Sequence, residues 1–426
     1  MKTQSGGDGG GASKVGPPVT SIEARTNGSS IQGSAVRSRS YLLLITMALG
    51  YAVYAADRTV LQAVITAVKP DLGLSDIQKG LLLSSQYVGV LAVVLLAGHL
   101  SDRFGKWKII LTGVVIFSVF TWLIAFAADF YQAMAFRLAS GVGEGIFWPV
   151  AMSAVANYFG ERKGFALGAF YVGFDAGGAG GSTIGGLSLS ITSGWRAAFF
   201  VAPLLGLGVV AGLFLARSAF AEADSKVGSV TLGRDALSLL RKKETILIMA
   251  FAFVATYSVA AWQNYLTTYW NTFKGVDKDV AAYGYAAVLA SGAVGKLVLG
   301  RASDRWSRKS ILLGVSVASS ILFALFFTVG SVFLGFLLAL SVGFVSAAIF
   351  PVMQALVSDT CEGRTGTALG LTTTFQSTAT VLSPTITAIS LGQGGSSAIA
   401  FNVAAPMVIV TLLAVAILAA GRKPES

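Results

Sequence analysis

Cysteine and histidine are almost absent from this 426-residue chain, which carries only Cys361 and His99. One cysteine closes no disulfide and builds no thiolate metal site within a chain. One histidine removes His-based metal centres and Ser/His/Asp catalysis together. Charge is scarce as well: 12% of residues are Asp, Glu, Lys or Arg, against roughly 25% in an average soluble protein. So few ionisable groups do not cover a water-facing surface of ordinary size. No nucleotide-binding motif occurs either, so ATP drive is unsupported. The usual enzyme constellations are missing, and no cofactor or metal is expected.

What the chain has is apolar length. It is 54% hydrophobic, with a mean hydropathy of +0.72. Stretches of about 20 residues, each able to cross a ~30 Å hydrocarbon core as a helix, recur at 41–67, 78–100, 107–127, 130–158, 164–190, 195–217, 245–272, 280–302, 309–328, 331–357, 365–390 and 398–420. Membrane β-strands are shorter and alternate, which excludes a barrel. Residues 1–40 are rich in Gly and Ser and hold no apolar core, so they read as a disordered cytoplasmic tail rather than a cleaved signal. Residues 421–426 form a second short tail. The expected fold is an all-α membrane protein with twelve transmembrane helices and both termini cytoplasmic.

The net charge of +11 invites comparison with nucleic-acid binders, but its placement argues otherwise. Most of the 31 Lys and Arg residues fall in the tails and in alternate loops, among them Arg103, Lys106, Lys108, Arg162, Lys163, Arg241, Arg305 and Arg308. The opposite loops carry only Lys69, Lys79, Arg196, Lys274 and Lys278. This asymmetry is the positive-inside signal of a multi-pass inner-membrane protein. No nucleic acid is implied.

An internal repeat organises the chain. Gly98-His99-Leu100-Ser101-Asp102-Arg103 recurs as Gly300-Arg301-Ala302-Ser303-Asp304-Arg305, an offset of 202 residues. The same offset aligns Pro149-Val150 with Pro351-Val352, Arg162 with Arg364 and Gly168 with Gly370. Two six-helix halves follow, 41–217 and 245–420, joined by a charged cytoplasmic linker at 218–244. Halves related in this way, rocking about a site between them, are a recurrent transporter plan.

The segment from Gly98 to Lys108, GHLSDRFGKWK, resembles the cytoplasmic loop signature of the major facilitator superfamily, and Arg137 to Gly145, RLASGVGEG, resembles its helix-4 signature. Asp57-Arg58, Asp71-Leu72-Gly73-Leu74-Ser75, Gly143-Glu144-Gly145 with Pro149, and Gly194-Trp195-Arg196 resemble the anion:cation symporter branch. Spinster-like transporters are the nearest rival. The resemblance covers essentially everything after residue 40. It implies secondary transport of organic anions with protons or sodium, and a cytoplasmic gate at Gly98, Asp102 and Arg103, with Asp304 and Arg305 as its repeat.

Ionisable groups inside the membrane cost about 2.5–3.5 kcal/mol each on insertion scales. Asp57, Arg58, Arg137, Glu144 and Asp175 lie in predicted helices of the first half; the second offers only Lys296, with Asp359 at a helix end. At the repeat offset the partners of Asp57, Arg137, Glu144 and Asp175 are Val259, Ala339, Ser346 and Ser377, so the fold itself needs none of these charges there. Arg137 and Glu144 are two helical turns apart on one face, and Arg137 is expected between Asp57 and Glu144. Burial disfavours a charged carboxylate and a nearby Arg favours it, so alternating access would load and unload a proton. Glu144 is the expected principal carrier, with Asp57 and Asp175 as further proton-coupling sites.

Arg58, about 100° around its helix from Asp57, is expected to be free of the carboxylates and to anchor an anionic substrate, with Arg137 as the competing anchor. Tyr54, Gln86, Trp148, Gln263, Asn264 and Gln376 are the polar and aromatic candidates for substrate contact. Gly173, Gly177, Gly181 and Gly185 form a small-residue ridge for close helix contact, with Asp175 off that ridge. The expected activity is uptake of a small organic anion with a proton by a monomer in the bilayer. Two alternatives stay open. One is a proton-driven exporter of a lipid or drug-like compound, which calls for a more apolar cavity; the other is a ligand sensor in a transporter fold.

Overall fold

The computed structural model describes residues 20–159, 163–192, 194–218, 220, 239–361 and 365–420. Most of the expected linker, and the carboxy-terminal tail, lie outside these residues. Among the described residues all regular structure is helical. The first seven helices are α1 (Thr20–Asp71), α2 (Asp76–Phe104), α3 (Lys106–Ile124), α4 (Phe130–Phe159), α5 (Lys163–Thr192), α6 (Arg196–Val201) and α7 (Leu204–Leu215). Then follow α8 (Lys243–Thr268), α9 (Lys278–Arg305), α10 (Arg308–Thr328), α11 (Val332–Ser346), α12 (Ile349–Thr360) and α13 (Thr365–Ala420).

Nine segments among the described residues are long and apolar enough to cross a membrane. One of them, Ala368–Ala420, spans 53 residues and contains Gly395 at φ 54° and ψ −135°. A left-handed glycine breaks the helix there, at the interval left between the expected spans 365–390 and 398–420. Helix α1 departs from expectation at its start. Residues 20–40 were expected to be part of a disordered tail, yet they continue α1 as helix. Extending an existing helix avoids the cost of a new nucleus.

Helix packing follows the small residues. Helix α1 packs along α5, and α4 lies against both α2 and α3. A Cβ at Gly173, Gly177 or Gly181 would come within 2.2, 2.0 and 2.5 Å of the Ala48, Ala52 and Ala56 carbonyl oxygens. The glycine ridge therefore sets α1 backbone against α5 backbone, as its four-residue spacing indicated. In α4, a Cβ at Gly141 would meet the Gln86 oxygen of α2 at 2.0 Å, and one at Gly143 would meet the Phe117 nitrogen of α3 at 2.5 Å. The RLASGVGEG segment thus wedges α4 between two neighbours and carries its charged residues into the interior.

The buried apolar residues form one core within Leu239–Ile417 and two others that draw on Leu43–Phe220, with Ala282 as the only outside member. At the outer end, the Asp71–Ser75 motif is a built turn. Gly73 has φ 60°, and Ser75 closes a capping box with Gln78 at the start of α2. Asp71 accepts from Trp195 Nε1 at 3.0 Å and from Arg196 Nη1 at 2.5 Å. Two motifs 124 residues apart in sequence meet there.

The amino- and carboxy-terminal parts are stitched together at this same end. Gln62 Nε2 donates to Asn264 Oδ1 at 2.9 Å, across 202 residues, which is the repeat offset itself. Tyr285 and Thr267 also hydrogen-bond Gln62. Lys79 Nζ reaches Thr268, Ser84 reaches Thr385 and the Val381 carbonyl, and Ser182 reaches the Ala282 carbonyl.

Candidate functional site

Four charges and two neutral side chains from α1, α2 and α4 form one network. Asp57, 2% exposed, accepts from Arg137 Nη1 at 3.0 Å, Ser140 Oγ at 2.5 Å and Gln86 Nε2 at 3.1 Å. Gln86 also donates to Glu144 Oε1 at 2.5 Å and accepts from Arg137 Nη2. Glu144, fully buried, binds Arg58 through a fork, with Nε at 2.9 Å and Nη2 at 2.8 Å. The Arg58 guanidinium lies 4.3 Å from the Tyr54 ring centroid and 4.8 Å from that of Tyr87. Two carboxylates and two guanidiniums balance, so the cluster is neutral as a whole when all four are ionised.

This geometry revises several expectations. Arg58 is not free of the carboxylates, because Tyr54 and Tyr87 hold it in the plane where it chelates Glu144. Arg137 meets Asp57 directly and reaches Glu144 only through Gln86. Arg137 and Gln86, expected at the substrate, are 2% and 0% exposed and stand behind the cavity wall as parts of the network. Asn264 is likewise buried, spent on Gln62 and on the Ala260 carbonyl of its own helix. Ser140, a short link on the α4 face shared by Arg137 and Glu144, had no charge to draw attention to it.

A central cavity of about 460 Å³ lies between the two parts. Tyr54, Arg58, Trp148, Asp175, Gln263 and Gln376 all line it. Its wall runs from mid-span toward the inner ends of α5, α9 and α12, while the stitching described above closes the outer end. With the basic loops read as cytoplasmic, this arrangement is inward-facing. Much of the wall is aromatic and aliphatic, with Tyr51, Phe174, Trp262, Leu289 and Phe350 among its members. Asp175 does point into the cavity, and there Lys296 Nζ meets its Oδ1 at 2.5 Å, joining α5 to α9 across the two parts. Tyr171 and Gln354 make a second such link.

At the inner end Gly105, at φ 87°, turns α2 directly into α3. The Arg103 guanidinium lies against the Phe104 ring, and Arg103 and Arg305 are exposed. Gly98 is helical, and the side chains of Asp102 and Asp304 lie outside the described residues. Arg308 pairs with Asp359, and Lys309 with Glu244, each at 2.5 Å. Among the described residues no cluster of His, Cys, Asp and Glu has the makings of a metal site.

The sequence profile of the Major Facilitator Superfamily matches residues 47–294 and 274–426. The chain belongs to this superfamily. It is accordingly a multi-pass inner-membrane protein that carries a small molecule by secondary transport, and it is not an enzyme. Among its superfamily relatives, the Hexuronate transporter of Bacillus subtilis is 26% identical over 84% of this chain and 90% of its own. The Probable sulfoacetate transporter SauU of Cupriavidus necator is 26% identical over 88% and 92%. Protein spinster of Drosophila melanogaster is 27% identical over 48% of this chain and 35% of its own length. The crystal structure of a bacterial homolog to the human lysosomal transporter Spinster, inward-facing and unoccupied, superposes with a TM-score of 0.73 at 20% identity. It covers 89% of this chain and 95% of that one, a likeness of fold.

Proposed function

We propose that this superfamily member is a proton-driven exporter of a lipid- or drug-like compound. The observation carrying this reading is the cavity wall: aromatic and aliphatic over much of its surface, with its charged groups already held in pairs. Such a wall suits an apolar body, which gains from leaving water, better than a heavily hydrated sugar acid. The Asp57–Arg58–Arg137–Glu144 network would carry the proton. Glu144 touches both Arg58, on the cavity wall, and Gln86, on the route to Asp57, so a proton placed there loosens a cavity cation and the buried cluster together.

A second reading, uptake of a small organic anion with a proton, is favoured by a separate observation. Two relatives matched over most of their lengths are named for hexuronate and sulfoacetate, and two cations among the described residues, Arg58 and Lys296, stand on the cavity wall. For the architecture, we propose twelve crossings in two six-helix halves, 41–217 and 245–420. The Gly395 break within α13 and the Gln62–Asn264 pair at the repeat offset support that count.

Proteoliposomes with a trapped pH dye test both. With an imposed proton gradient, lipophilic dyes should move against protons, and Glu144→Gln should abolish gradient-driven accumulation while leaving dye exchange intact. Acidification by sugar acids or dicarboxylates, with no response to the dyes, would instead establish the symport reading.

A further inference from the structure

Two cations line the cavity, and they are held differently. Arg58 is locked: a bidentate fork to a fully buried carboxylate, between two tyrosine rings, with 15% of its side chain exposed. Lys296 is held by one contact. Its ammonium meets only Asp175 Oδ1 among the described carboxylates, at 2.5 Å, and 27% of its side chain is exposed. An ammonium has three donors on a flexible stem, so Asp175 satisfies only part of it. Below it lies the Phe174 ring, 5.7 Å from Nζ. Among the described residues, Lys296 is also the only charged one that the carboxy-terminal part contributes to this wall.

Two further donors lie buried behind the same wall without a partner. The indole N–H groups of Trp148 and Trp262, one from each part, have no hydrogen-bond partner among the described residues, and both residues line the cavity. A buried donor left unmade is costly. What the wall presents to the cavity is therefore the loosely held, part-exposed Lys296, a cation that calls for acceptor oxygens.

From this we infer that Lys296 is the specificity-determining residue for an acidic group on the substrate, and that Asp175 is its built-in stand-in. The ligand is an amphipathic compound with an apolar body and a carboxylate, sulfonate or phosphate. When it enters, its acidic group takes Lys296 from Asp175; when it leaves, Asp175 returns. The empty carrier thus never holds an unpaired lysine in a low-dielectric wall, where an uncompensated charge is expensive. Because the pair joins α5 to α9, the same exchange removes a tie between the two parts each time the cavity is loaded. The inference deepens the reading of the cavity as the transport site for an amphipath and rests on it.

The test is binding of 11-(dansylamino)undecanoic acid and of its methyl ester to the purified full chain in detergent, followed by dansyl fluorescence. Wild type should bind the acid more tightly than the ester. Lys296→Gln should weaken the acid about tenfold, the scale of a lost charge-assisted hydrogen bond, and leave the ester unchanged; Lys296→Arg should restore much of the preference. Asp175→Asn gives the sharper result. Removing an acidic residue that competes for Lys296 should tighten the acid several-fold, with no effect on the ester. If Asp175→Asn alters acid and ester alike, the pair is a structural tie only and the inference fails. If acid and ester bind equally to wild type, the inference fails while the amphipath reading stands. Absence of binding by both probes would remove both.

Discussion

Arg58 shows what one side chain is asked to do here. Its Nε and Nη2 both reach Glu144 Oε2, at 2.9 and 2.8 Å, while two tyrosine rings flank the guanidinium. Lysine keeps the charge but not the planar fork. Arg58→Lys should therefore fold normally and lose roughly tenfold in gradient-driven transport, measured in proteoliposomes. Transport equal to wild type would show that charge alone suffices. Asp71 poses a different question, since it lies at the outer turn. Hydrogen bonds from Trp195 and then Arg196 hold its carboxyl below the usual aspartate range. A group with a lowered folded pKa contributes stability above its unfolded value, about 4, and loses it as pH falls through the folded value. The drop in melting temperature caused by Asp71→Asn should thus be constant from about pH 5 to 8 and vanish only in stronger acid. The charges themselves were legible in the sequence, because an ionisable residue in an apolar span stands out. Their partners were not. Helical spacing puts Arg137 and Glu144 on one face, but says nothing of which way Arg58 turns, and Gln86 and Ser140 join the network as neutral residues without any such signal.

Elements pack as the small residues direct, and neighbouring glycines of one helix differ sharply in what they tolerate. A Cβ at Gly177 would sit 2.0 Å from the Ala52 oxygen and 2.4 Å from two other backbone atoms of α1, whereas one at Gly180 meets nothing within 4 Å. Backbone does not yield as a side chain does. Gly177→Ala should separate α1 from α5 and lower the melting temperature and the yield of folded protein. Gly180→Ala should be neutral or slightly stabilising, within about 1 kcal/mol, since alanine is the better helix former. Equal effects at the two positions would contradict the packing. The ridge at Gly173, Gly177, Gly181 and Gly185 was readable from its period, and the break near Gly395 from the gap between two apolar runs. That residues 20–40 continue α1 was not readable, because their Gly- and Ser-rich composition argues for a tail.

On the scale of the whole molecule, the 202-residue repeat announced two related parts, and Gln62 bonded to Asn264 places equivalent positions of that repeat in contact. What the repeat left hidden was which end is closed, since both halves present polar residues at both ends. The structure puts the seal at the end away from the basic loops, which their charge assigns to the outside: Gln62 with Asn264, Tyr285 and Thr267, Lys79 with Thr268, and Ser182 with the Ala282 carbonyl at 2.8 Å. If transport requires that seal to open, tying it shut must stop flux without closing the inner mouth. The Ser182–Ala282 contact brings α5 and α9 close enough for a short link. In a Cys361→Ser background, a cysteine pair at 182 and 282 bridged by a short thiol-reactive crosslinker should block proton-driven flux. Binding of the dansyl acid from the inner side should persist, and reduction of a cleavable linker should restore transport. Full flux through the crosslinked protein would mean that the outer seal is not a gate, and the two parts would then have to move about some other contact. Block of both flux and binding would mean instead that the outer seal and the cavity rearrange as one unit, so that the substrate site is formed only while the seal is free to move.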